Sequence, residues 1–253
     1  MTFGKHSVLF SYIALALFLL LAKSSVAQDK ISLITWADFN YTYNKSNKLG
    51  IGGDMGMRGI ISKPNWGLVY ARPTLKYHFT PFIQVSGALG LFQTFQSDPS
   101  DMFEMRLAQE GKAEWPSFNN FYFIHRLRLE ERFLFYGKID ASDDFENQQQ
   151  DFRFRYMLSA RSNYFKITNK AEYLYLIAGA EYFFPLGDNV DERFFNASRL
   201  SAGFGQELKL DWNYQVDLIW QRSRNTLEGN FTTDEFIIRL RVYFEQYKKE
   251  KDE

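Results

Sequence analysis

Three stretches of this chain alternate ionised and apolar residues with a period of two. Glu104 and Arg106 sit among Phe103, Met105 and Leu107; Arg126, Arg128, Glu130 and Arg132 sit among Leu127, Leu129 and Phe133; Arg153 and Arg155 sit among Phe152, Phe154 and Tyr156. Arg239 and Arg241 repeat the spacing near the C-terminus. Successive side chains of a strand point to opposite faces, so each set shares one face. Such a face has two chemistries open to it. Guanidinium and carboxylate groups pair with each other, or a surplus of Arg makes an electropositive wall of the kind that admits anions. Oppositely charged neighbours are plentiful and a barrel of this size has little internal space, which favours pairing.

Other chemistry has weaker support. Only His78 and His125 remain beyond the first 27 residues, and neither has a Ser on its own strand face for a His-x-Ser hydrolase arrangement. Both are expected near strand ends at a membrane interface. Glu130 and Glu131 are adjacent and point apart, so they do not converge on a substrate. Asp140, Asp143, Asp144 and Glu146 lack EF-hand spacing and read as a solvated loop. There is no P-loop or dinucleotide fingerprint; the glycines at 50–59 lie within a strand pattern. No catalytic residue, cofactor or metal site is expected.

The elements that position these charges are strands throughout. A basic start (Lys5, His6) leads into an apolar run from Val8 to Ala22, then Ser25-Val26-Ala27, which reads as a cleaved signal peptide over 1–27. The run holds about 15 residues against the roughly 20 needed to span a bilayer. Aromatic residues make up 18% of the chain, yet mean hydropathy is −0.35. Lipid-facing residues followed by polar lumenal ones produce both values. The chain has 30 acids and 30 bases; Lys5 and Lys23 leave with the signal, so 28 bases remain and nucleic acid is not an expected partner. Zero Cys argues against a lipid-anchored Cys or disulfides and suits an oxidising periplasm.

Strand candidates run over 31–43, 48–62, 66–79, 82–93, 102–111, 121–136, 151–162, 171–184, 195–210, 212–222 and 234–244. The longest polar interruption, 138–150, reads as an exposed loop. Eleven candidates sit awkwardly with the even strand numbers of single-chain bacterial barrels, so 10 or 12 strands are expected, with 12 slightly favoured. The expected fold is an all-β, transmembrane, antiparallel up-and-down barrel over 28–244, with a charged tail over 245–253. Glu131 has lipid-facing parity, so it must lie near an interface or follow a bulge.

A soluble sandwich or lipocalin-like barrel would also alternate. Mid-strand charges and an apolar face too extensive for one core argue against it.

The order FEMRLAQ (103–109), RLRLEER (126–132), RFRYML (153–158), YLYLIAGAEYFF (173–184) and RLSAGFGQEL (199–208) resembles one family, the outer-membrane barrels of domain of unknown function 2490, common in Bacteroidota. Trp36 and the stretch ARPTLKYHFTPFIQVSGALG (71–90) also fit that layout, and the resemblance covers essentially the whole mature chain. One departure is Met105, where the family often has His. The resemblance implies a barrel in the outer membrane and supplies no activity.

The expected function is a small channel or transport-type barrel whose lumen is lined by Glu104, Arg106, Arg126, Arg128, Glu130, Arg132, Arg153, Arg155, Arg239 and Arg241. Its expected partners are outer-membrane lipid and small anionic solutes. The alternative is a closed structural or interaction barrel with a salt-bridged lumen. An envelope-lipid enzyme has the least support.

Overall fold

The computed structural model describes residues 32–61, 63–95, 101–136, 147–166, 173–186, 197–208, 211–225 and 231–248. The signal peptide, the acids at 140–146 and residues 249–253 lie outside them. The strands are β1 (Ser32–Asn44), β2 (Leu49–Ile60), β3 (Lys63–Thr80), β4 (Ile83–Phe95), β5 (Met102–Glu114), β6 (Phe121–Tyr136), β7 (Asn147–Ser162), β8 (Phe165–Lys166), β9 (Tyr173–Pro185), β10 (Ala197–Glu207), β11 (Trp212–Asn225) and β12 (Phe231–Tyr247). Every candidate span overlaps one of these, and all twelve belong to a single sheet.

That sheet closes on itself as an all-β barrel, antiparallel at every junction but one. β1 pairs with β2, neighbours follow in chain order to β7, β7 pairs with β9, and the order continues through β12, which returns to β1. β8 is two residues long and pairs with β9 in line with β7, extending it past a break at 163–164. Twelve segments therefore make a ring of eleven, and the expectation of an even ring is corrected here. An up-and-down ring with an odd number of strands must join its first and last strands in the same direction, and β1 and β12 pair in parallel.

The register shows how the ring closes. Register partners of Trp36 lead one way through Arg58, Leu68, Thr94 and Met102 to Tyr136. They lead the other way through Arg239, Asp217, Gly203, Ile177 and Arg161 to Tyr122. The two ends lie 14 residues apart on β6, from 122 to 136, and a stagger of this kind tilts the strands across the barrel axis.

Parity then sorts the side chains. The outward set is apolar and exposed, including Met57, Leu89, Leu107, Leu129, Leu218 and Ile238. The inward set is mostly polar or charged, and its apolar members were not anticipated from the alternation. Ile34, Trp36, Ile60, Ile219 and Ile237 form a buried cluster inside the lumen, beside Leu68, Tyr70 and Phe92. Strands β11, β12 and β1–β4 thus supply the apolar clusters alongside charges of their own, and β5–β10 supply the densest run of charge.

Two boundaries move. β7 begins at Asn147, because 147–150 pair with 133–136 despite their polarity. β12 runs to Tyr247, so Glu245–Tyr247 belong to the barrel and not to the tail. Turns use residues that tolerate positive φ: Asn119 (46°) and Asn120 (68°) before β6, and Asp211 (64°) before β11.

Candidate functional site

All ten ladder residues face the lumen, and the structure joins eight of them in one ion-pair network. Neighbouring strands place the network through the register: Glu130 is level with Arg153 and Arg106 with Arg132. Arg132 grips Glu104 in a two-pronged contact, Nε to Oε1 and Nη2 to Oε2, each at 2.8 Å. Arg106 donates to the same carboxylate at 2.6 Å. Glu130 is the hub. It accepts from Arg153 at 2.7 Å and Arg155 at 2.8 Å, with Arg128 at 3.5 Å and Arg106 at 3.6 Å.

The network spreads outward from there. Arg155 reaches Glu181 at 2.7 Å, and Glu181 also holds Arg126 at 3.0 Å and Arg199 at 3.3 Å. Arg199 donates to Gln221, which donates to Glu235 at 2.7 Å. Glu110 accepts from Arg128 at 2.6 Å. At the other end, Asp151 lies 3.7 Å from Arg132. Glu130 and Arg132 have no exposed surface at all. Buried charge is tolerable only when paired and hydrogen-bonded, and here pairing is extensive.

Arg239 and Arg241 lie apart from this network, on β12. Arg239 pairs with Asp38, whose other oxygen accepts from Tyr70 at 2.5 Å; Arg241 lies 3.2 Å from Asp217. A separate two-pronged pair joins Arg72 to Asp54 at 2.8 and 2.9 Å. Gly56 makes the Tyr70–Asp38 contact possible, since a Cβ there would lie 2.6 Å from Asp38 Oδ1 and 2.8 Å from the Tyr70 ring.

Aromatic rings cover the flat faces of the guanidiniums. Phe183 lies under Arg199 at 4.5 Å, Arg155 at 4.6 Å and Arg153 at 5.3 Å; Phe92 lies under Arg106 at 4.2 Å. Trp36 carries Arg58 at 4.1 Å, with Arg199 and Arg239 at 5.1 Å. Sequence reasoning missed these rings. The available signal was an aromatic residue on the polar parity of its strand.

The remaining candidates take other places. His125 faces outward between Trp115 and Tyr156, with Nδ1 2.8 Å from the Tyr156 hydroxyl. His78 ends β3, where its N–H donates to Lys48 at 2.8 Å. Glu131 faces outward as its parity requires, accepting from Gln150 at 2.7 Å, and the register runs through it without a bulge. Among the described residues no group of three or more His, Asp or Glu is arranged to hold a metal ion.

The family model described as protein of unknown function (DUF2490) matches residues 33–245, nearly the entire barrel, and the chain belongs to that family. Among curated proteins none matches the sequence.

Proposed function

We propose that this DUF2490 protein is an outer-membrane barrel whose lumen is closed by its own side chains, a structural or interaction barrel of the envelope. The observation that carries the reading is the burial of the network. Glu130, Arg132, Gln221 and Glu235 are 0% exposed, and the apolar cluster around Ile34 and Ile237 fills further lumenal space. Groups lining a water-filled path would keep accessible surface. The lipid setting rests on the exposed apolar outer wall, far larger than a soluble monomer tolerates. In this reading the partner is outer-membrane lipid, export is by the cleaved signal, and no nucleic acid, cofactor or catalytic step is involved. The two longest uninterrupted connections, 137–146 and 186–196, join strand ends at the rim where β1 begins, and in this reading that rim is the extracellular one.

One observation favours the anion channel as a second reading. Many inward Arg side chains keep more accessible surface than the acids they pair with: Arg241 27% against Asp217 3%, Arg239 19% against Asp38 0%. The order reverses at Arg128–Glu110 and Arg132–Glu104. Within these pairs the surface that remains is thus mostly guanidinium.

Single-channel recording of refolded protein in a planar bilayer decides between them. The closed barrel gives no steady conductance from protein verified as folded. Steady conductance with anion preference, lost on neutralising Arg126, Arg128, Arg153 and Arg155, overturns closure and establishes the channel.

A further inference from the structure

We propose that the lumen binds a small multivalent oxyanion, of the phosphate or sulfate class, at Arg58, with Arg199 and Arg239 completing a cradle around Trp36. The three guanidiniums converge on one buried indole, at 4.1, 5.1 and 5.1 Å from its centroid. They arrive from β2, β10 and β12, three strands that only barrel closure brings together.

Their counter-charges are unequal. Arg239 has Asp38, and Arg199 has Glu181 and Gln221. Arg58 has no carboxylate within ion-pair distance among the described residues, and its Nε is buried with no hydrogen-bond partner. The nearby Asp38 is turned to Tyr70 and Arg239, which donate to its two oxygens, and it makes no ion pair with Arg58.

A guanidinium in this state calls for an anion. Stacking on Trp36 engages its flat face and leaves the in-plane Nε–H unsatisfied, and an aromatic ring brings no negative charge. Planar forks of this kind match the oxygen edges of a tetrahedral oxyanion, which three forks can share better than a spherical halide. A ligand arriving in the remaining lumenal space meets guanidinium surface, since Asp38 is fully covered while Arg239 is 19% exposed.

Arg161 supplies the contrast. It too lacks an ion pair among the described residues and has an unpartnered buried Nε, but it lies among Tyr122, Tyr164 and Tyr175 at 5.3, 5.8 and 5.6 Å, with no second guanidinium over those rings. One Arg in a tyrosine cage is not a multivalent oxyanion site.

The site goes beyond the closed-barrel reading and is tested separately from it. Full-length mature protein, refolded in detergent, is titrated calorimetrically with inorganic phosphate and with sulfate, ionic strength being held constant with chloride. Because the lumen is narrow, a parallel sample is refolded in phosphate and its retained phosphate assayed after dialysis. The expected result is saturable one-site binding, weakened at least roughly tenfold in Arg58→Met and unchanged in Arg161→Met. Arg58→Lys keeps the charge and loses the fork, so it binds more weakly than wild type and covers the case in which Arg58→Met does not fold. The proposal is overturned if wild type neither binds saturably nor retains phosphate, or if Arg58→Met or Arg58→Lys binds as wild type does. Conductance of the same preparation keeps the two readings apart. A conducting barrel that binds phosphate removes closure and keeps the site; a silent barrel that binds none removes the site and keeps closure.

Discussion

Replacing Glu130 by Gln tests whether the lumen is dry. The amide keeps the size of the side chain and one acceptor oxygen, but it removes a charge that four guanidiniums share at 2.7, 2.8, 3.5 and 3.6 Å. Oε2 accepts from Arg153 and Oε1 from Arg155, so whichever position becomes nitrogen sets a donor against a donor. One lost charged hydrogen bond contributes about 1.5–3 kcal/mol. Breaking a buried ion pair from one side costs about 3–5 kcal/mol, because the surviving charge stays buried. Arg155, Arg128 and Arg106 keep second carboxylates in Glu181, Glu110 and Glu104, which pulls the expectation to the lower half of that range, about 3–4 kcal/mol. Urea unfolding from lipid vesicles, followed by tryptophan fluorescence, measures it. Glu110→Gln is the control: its carboxylate keeps 16% exposure and the loss should be about 1–2 kcal/mol. A Glu130→Gln loss below about 1 kcal/mol would refute the reasoning, since only solvent screening makes such a network so cheap to break. A wet lumen would also move the functional reading from closed barrel to channel.

Other outcomes follow from the two faces and the closure. Leu129 faces outward mid-strand on β6, so Leu129→Arg should cost about 2–4 kcal/mol in vesicles if that face meets lipid, whereas a water-facing site would tolerate it; vesicle unfolding discriminates. The absence of native Cys allows clean single-Cys labelling: Ser46→Cys and Ile61→Cys should react with impermeant maleimide from opposite sides, the first only from the periplasm in intact cells. Labelling of both from one side would refute the topology. Gly56→Ala should separate Tyr70 from Asp38 and destabilise by about 1–3 kcal/mol, read by the same unfolding assay.

The strands were legible because alternation is a local steric property. A residue on the outer wall and its neighbour facing the lumen differ in polarity along each strand of the ring, so all eleven show in the pattern. Their ends were less legible where the contrast fades: Asn147–Gln150 are polar on both faces, yet pair with Phe133–Tyr136. Which charges meet was partly readable. Glu181 and Arg199 are hairpin neighbours, level in register, and pair as adjacency implies. Asp38 and Arg239 stand 201 residues apart, and their pairing depends on ring closure and its stagger, which no local window contains. The lumenal aromatics failed for another reason. Trp36 and Phe183 break the polar rule of the inner face because a guanidinium needs a partner for its flat face as well as its edges.

The odd ring has a further consequence. Parallel pairing is slightly weaker per residue than antiparallel pairing, so a parallel seam between β1 and β12 would be the weak junction if backbone bonds alone held it. Side chains reinforce it on both faces. Inside, Asp38 of β1 holds Arg239 of β12. Outside, the Tyr41 hydroxyl donates to Gln246 at 2.9 Å, and Trp212 of β11 stacks on Phe244 at 4.6 Å beside Phe39 and Tyr41 of β1. The inner contact also borders the cradle: Asp38 is turned to Arg239 and Tyr70 and makes no ion pair with Arg58. One acidic side chain thus closes the ring and stands beside the guanidinium left without an ion pair. Asp38→Asn would loosen the seam, and because an amide cannot neutralise Arg58 or Arg239, it should also raise the positive charge of the cradle and tighten phosphate binding. Weaker binding in that variant, with the barrel still folded, would mean that Asp38 holds the cradle in shape and does not compete with the anion.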